Sequence, residues 1–218
     1  ASGDKKSARN LMRNAWLDRK LTKRGEVVVL SNYKSLLGRG DMERRWASFI
    51  YHRKLGGAAR NANHISRDHA RATRVAGLLF KRRKGAVGAY RKLPSRVRNT
   101  NAMRFALTHY HRWKGNMDTA RKLLVGTNQK AANFGAGDAW WVLRQRVARE
   151  LLGPSNRKNW GSAYKVAAGH GFSSGKYYAQ GEFLSGWIAL RYLKDAKTAY
   201  RHFARIPPAA KLSSERSR

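Results

Sequence analysis

Apolar residues recur at intervals of three and four along almost the whole chain, with polar residues between them. This spacing places the apolar side chains on one face of an α-helix and predicts a series of amphipathic helices. Alternation of apolar and polar residues, the pattern of a β-strand, is nearly absent. The short β-branched run 26–30 is interpreted as the buried start of a helix. The pattern predicts an all-α fold. It is clearest at Val29, Tyr33, Leu36, Leu37, Trp46, Phe49, Ile50, Phe105, Tyr110, Trp113, Trp140, Trp141, Leu143, Val147, Phe183, Leu184, Trp187 and Ile188.

Residues that typically begin and end helices stand between these segments. Side chains that can accept a hydrogen bond from the first turn of a helix predict N-caps at Asp41, Ser66, Asn116 and Asp138. Glycine readily adopts the left-handed conformation that ends many helices. Helix ends are therefore predicted at Gly38, Gly115, Gly153 and Gly171.

A short motif of a small residue, an alanine and a long side chain occurs five times. Its central residues are Ala59, Ala89, Ala120, Ala163 and Ala199, at separations of 30, 31, 43 and 36 residues. Such separations are typical of stacked helix pairs of the tetratricopeptide (TPR) kind, in which a small residue lets two helices approach closely. The sequence thus predicts a TPR-like α-superhelix. The predicted boundaries are a basic N-terminal extension at 1–10, the superhelical domain at 11–206 and a basic C-terminal tail at 207–218.

Net charge is the property of this sequence that says most about its partner. The 218 residues include 47 Lys and Arg against 12 Asp and Glu, a formal charge of +35, and no acid lies between Asp68 and Asp118. With 42% hydrophobic and 11% aromatic residues, the chain can bury a core and is no disordered basic tail. Self-repulsion on this scale favours a polyanionic or acidic partner. Cysteine is absent, which excludes disulfides and thiolate sites, and no apolar run is long enough to span a membrane.

Five segments in the second half of the chain resemble a known family, the bacterial soluble lytic murein transglycosylases. They are Trp140–Leu152, Ala163–Ala168, Tyr177–Ala179, Glu182–Leu193 and Ala199–Ala204. These segments are similar to the last helix pairs of the superhelical domain, and weaker similarity extends the resemblance from about residue 11 to residue 206. The resemblance implies a U-shaped, non-catalytic domain that binds glycan, whereas a separate lysozyme-like domain downstream cleaves it.

The sequence departs from that family in two respects. The Glu-Ser-x-Phe and Gly-Leu-Met-Gln-Leu-Met-Pro segments of the catalytic domain do not occur in it. Around Tyr177, positions where the family commonly has acids are Lys176, Gln180 and Gly181. We therefore expect no enzymatic activity, and a helical scaffold whose surface has become positive.

Other chemical candidates favour structural roles. Glu182 lies among aromatic residues and is the best candidate for a general acid, but pairing with an arginine in a helix packing interface is favoured. His109 and His111 are two residues apart and point to different helix faces, so they cannot share a metal. The segment 85–88 lacks the lysine of a phosphate-binding loop. No catalytic residue, cofactor or metal ligand is predicted.

Aromatic residues are divided between core and surface. We expect Trp140, Trp141, Phe183 and Trp187 to pack in the core because they recur at helical spacing. Aromatic residues beside turns can stack on unpaired bases or on sugar rings. These are Tyr90, Tyr110, Trp113 and Trp160.

The basic clusters are the strongest functional signal. Eight cations fall within eighteen residues, and too few acids are present to neutralise them, which favours phosphate contacts over a merely solvated helix face. The predicted polyanion-binding residues are Lys81, Arg82, Arg83, Lys84, Arg91, Lys92, Arg96 and Arg98, with Arg44 and Arg45 as a further pair.

Three hypotheses remain open at this point. The first is a structural, RNA-binding component of a large ribonucleoprotein such as an organelle ribosome, located in the mitochondrial matrix. The second is a periplasmic domain that binds peptidoglycan. The third is a domain with an acidic protein partner. Charge favours the first hypothesis, and the family resemblance favours the second.

Overall fold

The structure, a computed structural model, describes residues 2–18, 20–127, 130, 137–153 and 159–206. These residues form thirteen α-helices with defined bounds and one 3₁₀ turn, Lys34–Leu36, and they contain no β-strand. The predicted all-α fold is confirmed. The helices are α1 Ser2–Leu17, α2 Lys23–Asn32, α3 Arg39–Tyr51, α4 Leu55–Ala62, α5 Arg67–Phe80, α6 Ala86–Arg91, α7 Ser95–Arg98, α8 Asn101–Trp113, α9 Met117–Val125, α10 Gly137–Glu150, α11 Trp160–Ala168, α12 Gly175–Arg191 and α13 Ala196–Ala204.

The chain divides into two compact units, Ala1–Met103 and Arg104–Arg218. The predicted domain 11–206 therefore spans both units, and its predicted start lies inside α1. The predicted tail 207–218 lies outside the described residues. None of the described helices is long and apolar enough to cross a membrane.

The core of the N-terminal unit forms around Trp16 of α1, Val29 of α2 and Met42 of α3, all of which are buried. Along α3 the buried side chains continue with Trp46 and Ile50, at the helical spacing that the sequence shows. Packing then passes from α3 to α4, from α4 to α5, and from α5 to both α6 and α7. The apolar faces of these helices thus hold α5, α6 and α7 together.

Arg45 belongs to this core, so its predicted role in polyanion binding is wrong. Its side chain is only 4% exposed. It donates to the carbonyl of Trp16 and, over 2.6 Å, to Glu26 Oε1, and its guanidinium lies 4.6 Å from the centre of the Trp16 ring. A buried arginine with these bonds links α1, α2 and α3 and presents no charge to a ligand.

In the C-terminal unit, Trp140 and Trp141 of α10 are buried, as predicted. The Trp140 ring meets Phe105 of α8 edge to face at 5.1 Å, and Trp141 Nε1 donates to Gln180 Oε1 over 2.7 Å. The prediction for Phe183 and Trp187 of α12 is wrong, since these side chains are 57% and 36% exposed. The side of α12 buried against its neighbours instead contains Leu184, Ile188 and Ala189.

A second buried arginine, Arg144 of α10, joins two helix ends in this unit. Its Nη1 donates to the carbonyl of Val166 over 2.6 Å, and its Nη2 donates to the carbonyl of Leu124 over 2.9 Å. Both carbonyls lie in the last turn of their helices, α11 and α9, where they have no partner within the helix. Burial lowers the pKa of the Arg144 guanidinium to about 9, which leaves it positively charged at neutral pH.

Small residues lie where helices meet, as the repeated motif predicts. Ala120, Ala163 and Ala199 are buried. In the first copy of the motif the prediction is off by one residue, because Ala59 is exposed and its neighbour Ala58 is buried. Ala89 is half-buried, so the central alanine is buried in three of the five copies of the motif.

The helix ends match the predicted signals in part. Ser66 caps α5, since its side chain accepts from the His69 amide, and Asn116 precedes α9. Asp41 is the third residue of α3, not its N-cap, and its carboxylate accepts from the Gly38 amide over 2.8 Å. Asp138 is likewise inside its helix. Gly115 adopts the predicted left-handed conformation, with φ 74°.

Candidate nucleic-acid interface

Four of the predicted site residues form the turn that follows α5. The helix ends at Phe80, and the amides of Arg82 and Arg83 donate to the carbonyls of Leu79 and Leu78, which closes the helix end. Lys81, Arg82, Arg83 and Lys84 are all exposed. The turn thus presents four successive cations to solvent beside a helix C-terminus.

The other four residues lie on α6 and α7, which pack against α5. Leu93 and Val97 are buried and hold this segment in place. Arg91, Lys92 and Arg96 are exposed, whereas Arg98 is half-buried and its Nη1 donates to the Arg91 carbonyl over 2.9 Å. The eight predicted residues therefore lie on the turn after α5 and on the segment of α6 and α7, and both of these helices contact α5.

Three further arginines, outside the set predicted from the sequence, lie on α5 itself. Arg67, Arg71 and Arg74 are exposed and follow at intervals of four and three residues, so they share one helix face. The opposite face contains the buried residues Ala72, Val75, Ala76 and Leu79. These arginines follow the same helical spacing as the apolar residues, so the sequence contains the signal for this arginine face. We call the combined set the α5–α7 basic region: Arg67, Arg71, Arg74, Lys81, Arg82, Arg83, Lys84, Arg91, Lys92, Arg96 and Arg98.

Carboxylates neutralise little of this region. Residues 1–103 contain 26 Lys and Arg against six Asp and Glu. Within the basic region, Arg96 pairs with Asp68, whose carboxylate accepts from Arg96 Nε over 2.9 Å. The other paired acids of the unit have arginine partners elsewhere: Glu26 with Arg45 and Arg60, Asp41 with Arg13 and Arg44, and Glu43 with Arg39.

Arg44, the neighbour of the buried Arg45, lies on α3 and outside the basic region. Its side chain is partly exposed and pairs with Asp41. Burial raises the pKa of the Asp41 carboxyl, but hydrogen bonds from the Gly38 amide, Arg44 and Arg13 outweigh burial, so this pKa lies below its usual value. Arg44 therefore has a local partner in Asp41.

Backbone strain also coincides with cations. Among the described residues, three residues other than glycine have a positive φ: Arg53 and Arg82 at 56°, and Lys194 at 58°. Each follows the end of a helix, a position where glycine is usual because an L side chain there costs about 1–2 kcal/mol. All three of these residues are cations.

Glu182, the candidate general acid, is engaged in a buried network of the C-terminal unit. Its two carboxylate oxygens accept from His170 Nε2 over 3.0 Å and from His202 Nδ1 over 2.8 Å. Tyr164 Oη donates to His202 Nε2 over 2.9 Å, and the amide of Phe172 donates to His170 Nδ1 over 3.1 Å. The closest partners of Glu182 are thus two histidines, and the predicted arginine is present as well, since Arg205 Nη1 lies 3.8 Å from Glu182 Oε2.

The network fixes the protonation of His170. Because the Phe172 amide occupies Nδ1, the proton of the neutral ring lies on Nε2. Burial lowers the pKa of His170 and exceeds the opposing effect of Glu182, which raises it. The ring is therefore neutral at pH 7, and the network joins α11, α12 and α13.

The predicted surface aromatics differ in exposure. Trp113 is 52% exposed, whereas Tyr90 is half-buried and donates from Oη to the Arg98 carbonyl over 3.0 Å. Trp160 is half-buried and contacts the Tyr192 ring. Tyr90 thus orders the segment that bears Arg98, and Trp113 is the most open of this predicted set. The described residues contain no group of three or more side chains able to hold a metal.

No known protein family, curated protein or solved structure matches this chain. The resemblance to the transglycosylases thus stays a prediction from the sequence.

Proposed function

We propose that the protein is a non-enzymatic scaffold that binds the phosphate backbone of RNA through the α5–α7 basic region. It would act as a structural component of a large ribonucleoprotein such as an organelle ribosome, in the mitochondrial matrix. In this proposal the helices stack as pairs into a TPR-like α-superhelix, in which each pair buries the apolar face of the next.

The observation that carries the proposal is the concentration of exposed cations on α5, α6 and α7 with Asp68 as their acidic partner. Arginine and lysine on a phosphate backbone release condensed counterions, which supplies a favourable free energy that solvent alone does not. The exposed cations of this region lie at helix ends and along one helix face. In this arrangement we expect them to contact phosphates and not base edges. Binding is therefore led by charge and shape.

RNA is the polyanion that fits best because cations are exposed in both units. Arg146, Arg149, Lys165 and Lys197 are exposed in the C-terminal unit. A large folded RNA presents phosphates on many sides, whereas an acidic protein partner would require one local patch. Arg82 in the N-terminal unit and Lys194 in the C-terminal unit are both cations with a positive φ. Their presence in both units also supports RNA as the partner.

A second candidate function is binding of peptidoglycan, for a domain located in the periplasm. One observation favours it: Phe183, Trp187 and Tyr200 are exposed on α12 and α13, and aromatic faces pack well on sugar rings. This candidate leaves the α5–α7 basic region without a role, so we place it second.

The salt dependence of the binding affinity distinguishes RNA binding from peptidoglycan binding. The affinity of the full chain for a single-stranded 20-nucleotide RNA is measured by fluorescence anisotropy from 50 to 200 mM salt. Six phosphate contacts predict a slope of about −4 in log K against log salt, or a loss of about 300-fold. An uncharged peptide nucleic acid of the same sequence is the matched control and should not bind. A slope near zero, together with salt-independent retention on insoluble murein, would refute the proposal.

A further inference from the structure

An exposed apolar stripe runs along α12 in the C-terminal unit. Phe183, Trp187 and Leu190 follow one another at intervals of four and three residues, so they share one side of the helix. Their side chains are 57%, 36% and 47% exposed. The other side of α12 is buried, and the helix contacts α10, α11 and α13. The exposed stripe thus gives α12 a second apolar side.

Aromatic side chains of α13 extend this stripe into a wider surface. The rings of Phe183 and Phe203 lie 6.0 Å apart, and Phe203 is half-buried. Tyr200 precedes Phe203 by three residues, on the same side of α13, and is 74% exposed. We call this set the α12–α13 apolar face: Phe183, Trp187, Leu190, Tyr200 and Phe203. Exposed apolar patches mark sites of contact with other molecules, and aromatic residues are enriched where proteins meet proteins.

Cations border this apolar face. The segment 175–206 contains six Lys and Arg, all of them exposed, against two Asp and Glu. Lys176 precedes the stripe by two helical turns and Arg191 directly follows it, so a cation stands at each end. Of the two acids, Glu182 is buried, and Asp195 caps α13 by accepting from an amide of its first turn over 2.9 Å. The face therefore complements a partner that is apolar at its centre and negatively charged around it.

We propose that the α12–α13 apolar face binds an acidic amphipathic helix of a partner protein. A helix whose apolar side chains recur at intervals of three and four residues packs well against a stripe of the same spacing. Aspartate and glutamate beside the partner's stripe would pair with Lys176 and Arg191, which steers association and selects an acidic partner. This interface does not rest on the proposed RNA-binding function. It gives the scaffold a contact with a protein neighbour.

Other occupants fit this face less well. A second copy of the chain would bring like charges together around the contact. RNA bases stack on open ring faces, but the Phe183 and Phe203 rings are tilted by 46° to each other. Trp187 meets the Tyr192 ring edge to face at 5.2 Å. Leu190 adds apolar surface but no ring on which a base or a sugar could stack. The branched apolar side chains of a helix suit such an uneven surface better.

The first test asks whether apolar spacing matters, because a chain of this charge attracts any acidic peptide. The full chain is titrated into a fluorescein-labelled helical peptide with leucine at i, i+4, i+7 and i+11, glutamate at the flanking positions and alanine elsewhere. The matched control is a peptide of the same composition whose leucines are distributed around the helix. By anisotropy at physiological salt, the amphipathic peptide should bind about tenfold more tightly. Equal affinities would mean attraction by charge alone and overturn the inference.

The second test locates the contact. Trp187→Ala should weaken binding of the amphipathic peptide about 30-fold, as truncation of a central aromatic anchor does, and leave the affinity for RNA unchanged. Trp113→Ala removes a tryptophan of α8 that is 52% exposed and should retain the affinity for this peptide. Tyr200→Ala provides a second variant if circular dichroism shows that Trp187→Ala has lost helix. Unchanged peptide affinity in folded Trp187→Ala and Tyr200→Ala would overturn the inference.

The other occupants predict different results in the same variants. Loss of RNA affinity in Trp187→Ala, with peptide binding retained, would make the face a surface for base stacking. Binding of chitotetraose or of phosphatidylglycerol vesicles that Trp187→Ala abolishes, without a difference between the two peptides, would assign it to glycan or to a membrane. A dimer seen by sedimentation and absent in Trp187→Ala would assign it to a second copy. Each of these results overturns the inference, whereas failure of every variant and of the wild type to bind RNA refutes the proposed function alone.

Discussion

Replacement of Arg82 by glycine should make the protein more stable and weaken its binding to RNA. Arg82 has a φ of 56°, a conformation that costs an L residue about 1–2 kcal/mol. Glycine removes this cost but loses more freedom on folding, by about 0.5–1 kcal/mol. We therefore expect a net gain in the free energy of unfolding of about 0.5–1 kcal/mol. For 150–250 residues this corresponds to a rise in Tm of about 1–4 °C.

The same substitution removes one cation from the α5–α7 basic region. Each phosphate contact on a single strand contributes about 0.7 to the salt slope, so loss of one contact lowers affinity about fivefold at 0.1 M salt. Thermal unfolding by circular dichroism and RNA binding by anisotropy are measured on the same preparation. Opposite changes in stability and affinity are the expected result.

Arg83 provides the matched control because it is the next exposed cation of the same turn and is not left-handed. Arg83→Gly should weaken RNA binding as much as Arg82→Gly does, without any gain in Tm. If the two variants have the same Tm, the positive φ of Arg82 does not lower the stability of the protein. If neither variant weakens RNA binding, the turn does not contact phosphate.

Three further predictions concern the C-terminal unit. Arg144→Met removes the guanidinium that donates to the carbonyls of Leu124 and Val166, of which Leu124 keeps the Thr127 amide as a donor. The free energy of unfolding should fall by about 3 kcal/mol in urea titrations, and a loss below 1 kcal/mol would contradict the role of Arg144 in joining the two helix ends. Gly181→Ala should cost about 1–3 kcal/mol by the same assay, since a Cβ there would lie 2.5 Å from the His170 ring, and an unchanged midpoint would show that the ring moves freely. Burial lowers the pKa of His170, so this histidine binds a proton more readily in the unfolded chain than in the folded protein. Tm should therefore fall as the pH drops below about 6.5. In His170→Gln this fall in Tm should be smaller, and an equally steep fall would exclude His170 as its source.

The helices could be predicted from the sequence because apolar spacing and end signals agree over most of the chain. The two buried arginines could have been predicted as well. Arg45 lies three residues after Met42 and four before Phe49, and Arg144 lies between Trp140 and Val147 at the same spacing. Both therefore fall on apolar helix faces. The positive charge of Arg45 nevertheless favours a surface position, whereas its place on the apolar face of α3 determines that it is buried.

Other features could not be predicted because they depend on tertiary packing. On α12 apolar residues occur on several sides, so the pattern does not show that Leu184 and Ile188 are buried while Phe183 and Trp187 are exposed. Trp16 of α1 and Asn61 of α4 line the same small cavity, although they are 45 positions apart in the sequence. The pairing of Glu182 with two histidines from different segments likewise depends on how three helices meet.

The most direct test of the central claim is the salt slope of RNA binding for two variants with equal loss of charge. The first, Lys81→Gln/Arg83→Gln/Lys84→Gln, removes three exposed cations of the α5–α7 basic region. The second, Arg39→Gln/Arg121→Gln/Lys122→Gln, removes three cations that already pair with carboxylates. We predict a slope shallower by about 2 for the first variant and an unchanged slope for the second. Equal slopes for both variants would contradict RNA binding through this region.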